Sequence, residues 1–137
     1  MLTTFPSLLA FSFFAPAFLR AVVAACFAYQ AITHFKNKRG VADEISDLAK
    51  GLSHEAAVWL AGLLIIAELA VGILLFVGAW TQIAAILAIL GFLKMAYFND
   101  RLPTYAPLPR STYFVLVAIC LSLLVTGAGA FAFDLPL

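Results

Sequence analysis

The sequence predicts an all-α integral membrane protein: an antiparallel bundle of four transmembrane helices, with a short amphipathic interfacial helix between the first and second spans. Three observations carry this. Of 137 residues, 65% are hydrophobic and only 11% are charged, so a soluble domain of this size would leave an apolar surface in water. The mean hydropathy is +1.08, and it is concentrated in runs of the roughly 20 residues that a bilayer crossing needs. Those runs are continuous rather than alternating, which favours helices over the strands of a membrane barrel.

The whole chain, 1–137, reads as one membrane domain with spans at 15–35, 53–78, 81–98 and 111–130. Pro16 suits the first turn of the first span, where its missing N–H does no harm. The apolar residues just before it extend that helix or lie in the interface. With no basic leader segment and no small-residue cleavage site, this first apolar stretch is expected to remain as an anchor. Ser53 is the expected N-cap of the second span, with Glu55 in its first turn. Gly78, Ala79, Trp80 and Thr81 leave almost no loop before the third span, so spans two and three must be antiparallel neighbours.

Between spans one and two, Val41, Ile45, Leu48 and Leu52 recur at helical spacing with Asp43, Glu44, Asp47 and Lys50 among them. This predicts an amphipathic helix on the membrane surface, a connector or a docking face for a partner. The connection from Asn99 to Arg110 holds Pro103, Pro107 and Pro109 and is expected to be extended.

Charge placement sets the orientation. Six of the eight basic residues lie in two connections: Lys36, Lys38, Arg39 and Lys50 in the first, Arg101 and Arg110 in the other. The positive-inside bias places connections 36–52 and 99–110 in the cytoplasm, with both termini outside, as in a multi-pass protein of the cell (inner) membrane. The lipid bilayer is the partner that composition implies. Nucleic acid is not expected, and a thin four-helix bundle leaves self-association open.

The residues that demand explanation are the ionisable ones inside the spans. Arg20, Glu68 and Lys94 interrupt apolar runs, and Asp134 and His34 sit near span ends. Charge in hydrocarbon is costly and is normally paired or turned toward a polar cavity. Counted from the 78–81 turn, Glu68 and Lys94 each lie roughly 17–21 Å deep, so a Glu68–Lys94 ion pair is the simplest arrangement, while Arg20 either snorkels outward or turns inward toward Glu68 or Asp134. Such a network either fixes the packing register or lines a cavity for a head group, a quinone or a proton. His34, close to the interface, reads as a wet surface group or as a member of this network. Gly62, Gly72, Gly78 and Gly91 are small residues of the kind that let helices approach. Cys26 and Cys120 are too few for a disulfide framework and read as small apolar residues. The spacings of a metal site are missing, so no metal is expected.

The run Glu68-Leu-Ala-Val-Gly72-Ile-Leu-Leu-Phe-Val-Gly78-Ala-Trp-Thr81 resembles the second-helix motif of DoxX family membrane proteins: a Glu, a Gly four residues on, a second Gly six beyond, then a turn with Thr. Leu19-Arg20-Ala-Val-Val resembles the family's arginine early in the first span. Gly127-Ala-Gly129-Ala-Phe-Ala-Phe-Asp134 resembles its ending, so the resemblance runs along nearly the whole chain. Near the end of span one, where that family often has a Gly and a Lys, the sequence reads Gln30-Ala-Ile-Thr-His34-Phe-Lys36, and His34 or Lys36 would stand in. The resemblance implies four helices and association with redox systems: a membrane subunit of a quinone-linked oxidoreductase or of a redox-defence complex, with a soluble or membrane redox partner. A quinone is the cofactor it suggests; the residues themselves show none. The alternative is a non-catalytic membrane partner or assembly factor whose buried charges only fix helix packing. A small transporter ranks below both, since inverted repeats and broken helices are not evident.

Overall fold

The computed structural model describes residues 14–126, which form five helices and no strand: α1 (Phe14–Lys36), α2 (Lys38–Leu48), α3 (His54–Val77), α4 (Thr81–Phe98) and α5 (Arg110–Thr126). Three of them, α1, α3 and α4, are long and apolar enough to cross a membrane. The expected tail features, Gly127, Gly129 and Asp134, lie outside the described residues.

The termini of the helices follow local chemistry. Ser53 caps α3, its hydroxyl accepting from the Ala56 amide at 3.3 Å. Gly78 ends α3 in the left-handed region at φ 72°, and Trp80 follows at φ 50° immediately before α4. Two left-handed residues within three reverse the chain in the least length, and glycine takes the first of them without a Cβ penalty.

Along α3 the buried residues are Ala57, Ala61, Ile65, Glu68, Gly72 and Leu75. They form one narrow helical stripe, half of it small residues (Ala57, Ala61 and Gly72), while Trp59, Leu63, Ile66, Ile73 and Phe76 point outward. Lipid tails solvate large apolar groups as well as a protein core does, so helices meet along small residues. Glu68 faces inward because it lies on that stripe. On α1 the buried face is Pro16, Arg20, Val23, Ala24, Phe27, Gln30, Ala31 and His34. A Cβ on Gly72 would lie 3.2 Å from Phe27 Cβ and 3.5 Å from the Ala24 carbonyl oxygen, so bare backbone at Gly72 is what lets α1 seat on α3.

The strongest packing is α4 on α5 and α1 on α3. An aromatic row ties the two pairs together: the Phe27 ring on α1 lies 4.6 Å from Phe92 on α4, which lies 6.4 Å from Tyr113 on α5.

The expected amphipathic helix is α2, which packs Val41, Ala42 and Ile45 against α3. It continues almost directly from α1, with the Asn37 and Val41 amides donating to the Thr33 and Asn37 carbonyls. The connection 99–109 is not extended. It folds through successive turns and inserts Leu102, Tyr105 and Ala106 into the core. Asn99 holds the loop from below by donating to the Ala106 and Leu108 carbonyls, both at 2.7 Å. Glu44 on α2 accepts from the Thr104 and Tyr105 amides at 2.7 and 3.2 Å. That contact places both basic connections at one end of the molecule.

Candidate functional site

The site is built where the buried faces of α1 and α3 meet the inserted loop. The register set by Gly72 against Ala24, Phe27 and Ala28 puts Gln30 level with Glu68, and His34 one turn beyond. Side chains lean toward the start of their own helix, so in this antiparallel pair His34 and Glu68 lean toward each other. His34 Nδ1 lies 2.7 Å from Glu68 Oε2, and Nε2 lies 2.7 Å from the Tyr105 carbonyl oxygen. His34 is 1% exposed and Glu68 5%.

These contacts fix the protonation pattern. A carbonyl oxygen can only accept, so Nε2 carries a hydrogen and donates it to Tyr105. One proton then lies between Nδ1 and Oε2. Either the Glu68 carboxyl donates to neutral imidazole, or imidazolium donates to carboxylate. Both forms are neutral in sum, which is how a carboxyl group can lie this deep without a full buried charge.

Around the pair, four polar atoms lack a well-formed hydrogen bond among the described residues: Glu68 Oε1, the Tyr105 hydroxyl, which lies close to the Glu68 carboxyl, and both amide atoms of Gln30, which is completely buried. The Tyr105 ring stacks on His34 with centroids 5.0 Å apart, and Lys94 Nζ lies 5.2 Å from the Tyr105 ring centroid. Burial first, and then the nearby Glu68 carboxyl, hold the Tyr105 phenol well above the usual tyrosine range. The phenol therefore stays a donor across physiological pH. The cluster thus offers a shareable proton, two unsatisfied donors and two unsatisfied acceptors beside an ammonium group. Among the described residues no group of three or more His, Cys, Asp or Glu side chains could hold a metal ion.

The DoxX family model matches residues 15–99, well over half of the chain. The chain belongs to the DoxX family. No curated protein and no solved structure matches it. The match takes in α1 to α4, and hence Arg20, His34, Glu68 and Lys94, and stops before Tyr105. It is shorter than the near-complete resemblance read from the sequence, whose tail segment it omits.

The Glu-x-x-x-Gly spacing of this DoxX chain now has a physical account. Glu68 and Gly72 are one turn apart on the same stripe of α3. Gly72 seats α1, and that close seat brings His34 within reach of Glu68.

The sequence-derived site residues divide. His34 and Glu68 come together, and Lys94 joins them through Tyr105. The expected Glu68–Lys94 ion pair is not the one formed: the partner of Glu68 is His34. Counting along the helices shows why. Glu68 is ten residues before Gly78, whereas Lys94 is thirteen after the first residue of α4, so Lys94 lies several ångströms nearer the basic end. Arg20 is buried at 4% on the same face of α1, but fourteen residues from His34, about 21 Å along the axis. It belongs to the opposite end of the helix. Asp134 lies outside the described residues. His34 is not a wet surface group. Gln30 and Tyr105 were missed. Gln30 could have been found from its spacing, three residues after Phe27 and four before His34 on the face that carries Arg20. Tyr105 sits in a proline-rich connection, and no periodicity marks an insertion of that kind.

Proposed function

We propose that this DoxX-family chain is a membrane subunit of a quinone-linked oxidoreductase or redox-defence system, in which the His34–Glu68 pair holds and moves a proton. The reading takes the protein as a four-span antiparallel bundle of the inner membrane. The fourth span is α5, after which residues 127–133 remain apolar. The connections 36–52 and 99–110 face the cytoplasm, since they hold six of the eight basic residues.

The observation that carries the reading is the buried one-proton pair ringed by unsatisfied polar atoms. Structural packing alone gives no reason to bury a glutamine amide without partners. The donor set suits a quinone. The Gln30 amide, the Tyr105 hydroxyl and the Lys94 ammonium can donate to a carbonyl oxygen, and Glu68 Oε1 can accept from a hydroxyl. A bound quinone supplies two-electron carrier chemistry, with electrons drawn from a partner redox subunit. The chain's own part is to orient the ring and relay the proton at Nδ1 and Oε2. Gln30, Glu68 and Tyr105 are buried, while Lys94 is half-exposed, so the approach is from the Lys94 side.

Glu68→Gln tests this. The amide can still donate to His34 Nδ1, which preserves the contact and removes the exchangeable proton. Quinone-dependent electron transfer in membranes carrying the variant should fall by about 10²–10⁴-fold, the usual worth of a positioned acid or base. Full activity in the variant would overturn the reading.

A second reading, a non-catalytic partner or assembly factor, is favoured by how closed the cluster is. His34 ties α1, α3 and the 99–109 loop together, as a packing staple would. The apolar surface left on the α1–α3 connection for a partner is reduced to Leu48 at the end of α2 and Leu52 beyond it, because Ile45 is already buried. Activity untouched by Glu68→Gln, with the bundle weakened by loss of His34, would select this second reading.

A further inference from the structure

At the basic end of the bundle a cleft of about 750 Å³ opens at the junction of α1 and α2, and the proposed redox function makes no use of it. It is lined by Phe35, Lys36, Asn37, Lys38, Arg39, Gly40, His54, Val58 and Thr104. Its free charge is positive. Lys36, Lys38 and Arg39 make no ion pair among the described residues, whereas the two carboxylates at its rim are already occupied by cleft-wall groups: Asp43 pairs with His54 at 3.3 Å, and Glu44 holds the Thr104 and Tyr105 amides. One of the three cations is positioned by the fold. A Cβ on Gly62 would lie 3.2 Å from Lys38 Nζ. Gly62 therefore does not seat another helix; its missing side chain leaves the space in which the Lys38 ammonium lies across α3.

We propose that this cleft binds the phosphate head group of an anionic phospholipid. The cations supply the recognition: two ammonium groups act as point charges, and the Arg39 guanidinium offers a planar fork that matches phosphate oxygens. The lipid, rather than free phosphate, is indicated by the walls. Phe35 is 71% exposed and Val58 stands opposite on α3, at the level where the two apolar helices meet their charged connections. A free anion has no use for those side chains, but the first carbons of an acyl chain do. Basic clefts between membrane helices near the cytoplasmic surface are suited to such head groups.

The test uses the full chain in nanodiscs of mixed phosphatidylcholine and phosphatidylglycerol, with retained lipid counted by native mass spectrometry. The chain should retain phosphatidylglycerol preferentially. Each basic side chain near an anionic surface is worth a factor of about five, so Arg39→Gln should lower the preference about fivefold. Combined Lys36→Gln, Lys38→Gln and Arg39→Gln should lower it on the order of a hundredfold. Gly62→Leu, which keeps every charge but fills the space under Lys38, should cost about fivefold; because it leaves the cations intact, it separates a built site from general surface attraction. Should the triple variant fail to fold, Arg39→Gln alone carries the test, since Arg39 is exposed. Equal retention of both lipids, or a preference that survives the triple substitution, overturns the proposal. Displacement of phosphatidylglycerol by millimolar inorganic phosphate overturns it too, by making this a free-anion site. Glu68→Gln should leave the preference unchanged, so this proposal and the redox reading can fail separately.

Discussion

Replacing His34 with Phe strands two groups at once. Glu68 Oε2 loses its partner at 2.7 Å, and so does the Tyr105 carbonyl, also at 2.7 Å. A buried polar group left unsatisfied costs about 1–3 kcal/mol, which sets the sum at about 2–6. Two effects pull it down. Interhelical hydrogen bonds in membranes average only about 0.6 kcal/mol, because unfolded helices find other partners. The Tyr105 hydroxyl, near Glu68 and without a partner, can also turn toward the abandoned carboxyl. We therefore expect His34→Phe to destabilise the bundle by about 2–3 kcal/mol. Glu68→Leu should cost a similar amount by stranding Nδ1. The double variant removes both ends of the contact and should cost less than the sum, leaving a coupling of at least about 1 kcal/mol. The assay is a double-mutant cycle on reversible unfolding in mixed detergent micelles. Independent sites add to within about 0.5 kcal/mol. A coupling below that limit would refute the claim that these two side chains share a proton in the dry interior.

Four further outcomes are expected. Gly72→Leu drives side-chain atoms into Phe27 Cβ and the Ala24 carbonyl; it should destabilise by about 1–3 kcal/mol in the same unfolding assay, whereas Gly62→Ala, which meets only the far end of the Lys38 side chain, should fall within about 0.5 kcal/mol. Glu44→Gln keeps one acceptor and removes the charge that holds two loop amides, so hydrogen exchange at Thr104 and Tyr105 should accelerate about tenfold, equivalent to about 1.4 kcal/mol. Gln30→Leu removes a buried amide that has no partners and should raise stability by about 1–2 kcal/mol while lowering any quinone-dependent activity, a trade expected where a site is kept for function. Tyr105 predicts the alkaline limit. Its folded phenol is held above its ordinary value of 10.0, so the unfolded chain loses that proton first and stability declines above pH 10. Tyr105→Phe should flatten that decline while changing stability at neutral pH by less than about 1 kcal/mol.

The sequence made the helices legible and the contacts between them much less so. α4 begins and ends where periodicity and turn residues place it, Thr81–Phe98, and α3 (His54–Val77) differs from expectation by one residue at each end. Apolar runs and punctuation by Gly, Ser and Pro fix such limits locally. The inward turn of Glu68 was also within reach, because Ala57, Ala61 and Gly72 mark the stripe on which α3 meets its neighbours. The partner of Glu68 was not. Depth counting sets Glu68 and Lys94 at one level because it measures both from the same turn. It did not include the side-chain lean that carries His34 and Glu68 toward each other, nor a loop that enters the core.

The loop is the instructive case. Three prolines and a surface position argue for an exposed connection, and proline does exclude continuous helix. They do not exclude a chain of turns, and turns leave amides that need acceptors. Glu44 and Asn99 satisfy that need from two sides: Glu44 accepts from the Thr104 and Tyr105 amides, and Asn99 donates to the Ala106 and Leu108 carbonyls. Once the backbone is held this way, Tyr105 points its carbonyl at His34 and its ring over the same imidazole. The proton-sharing pair is therefore fixed by residues on α1, α2, α3 and the loop, spread from His34 to Tyr105. A local pattern could mark each as unusual; only the packed bundle makes them one site.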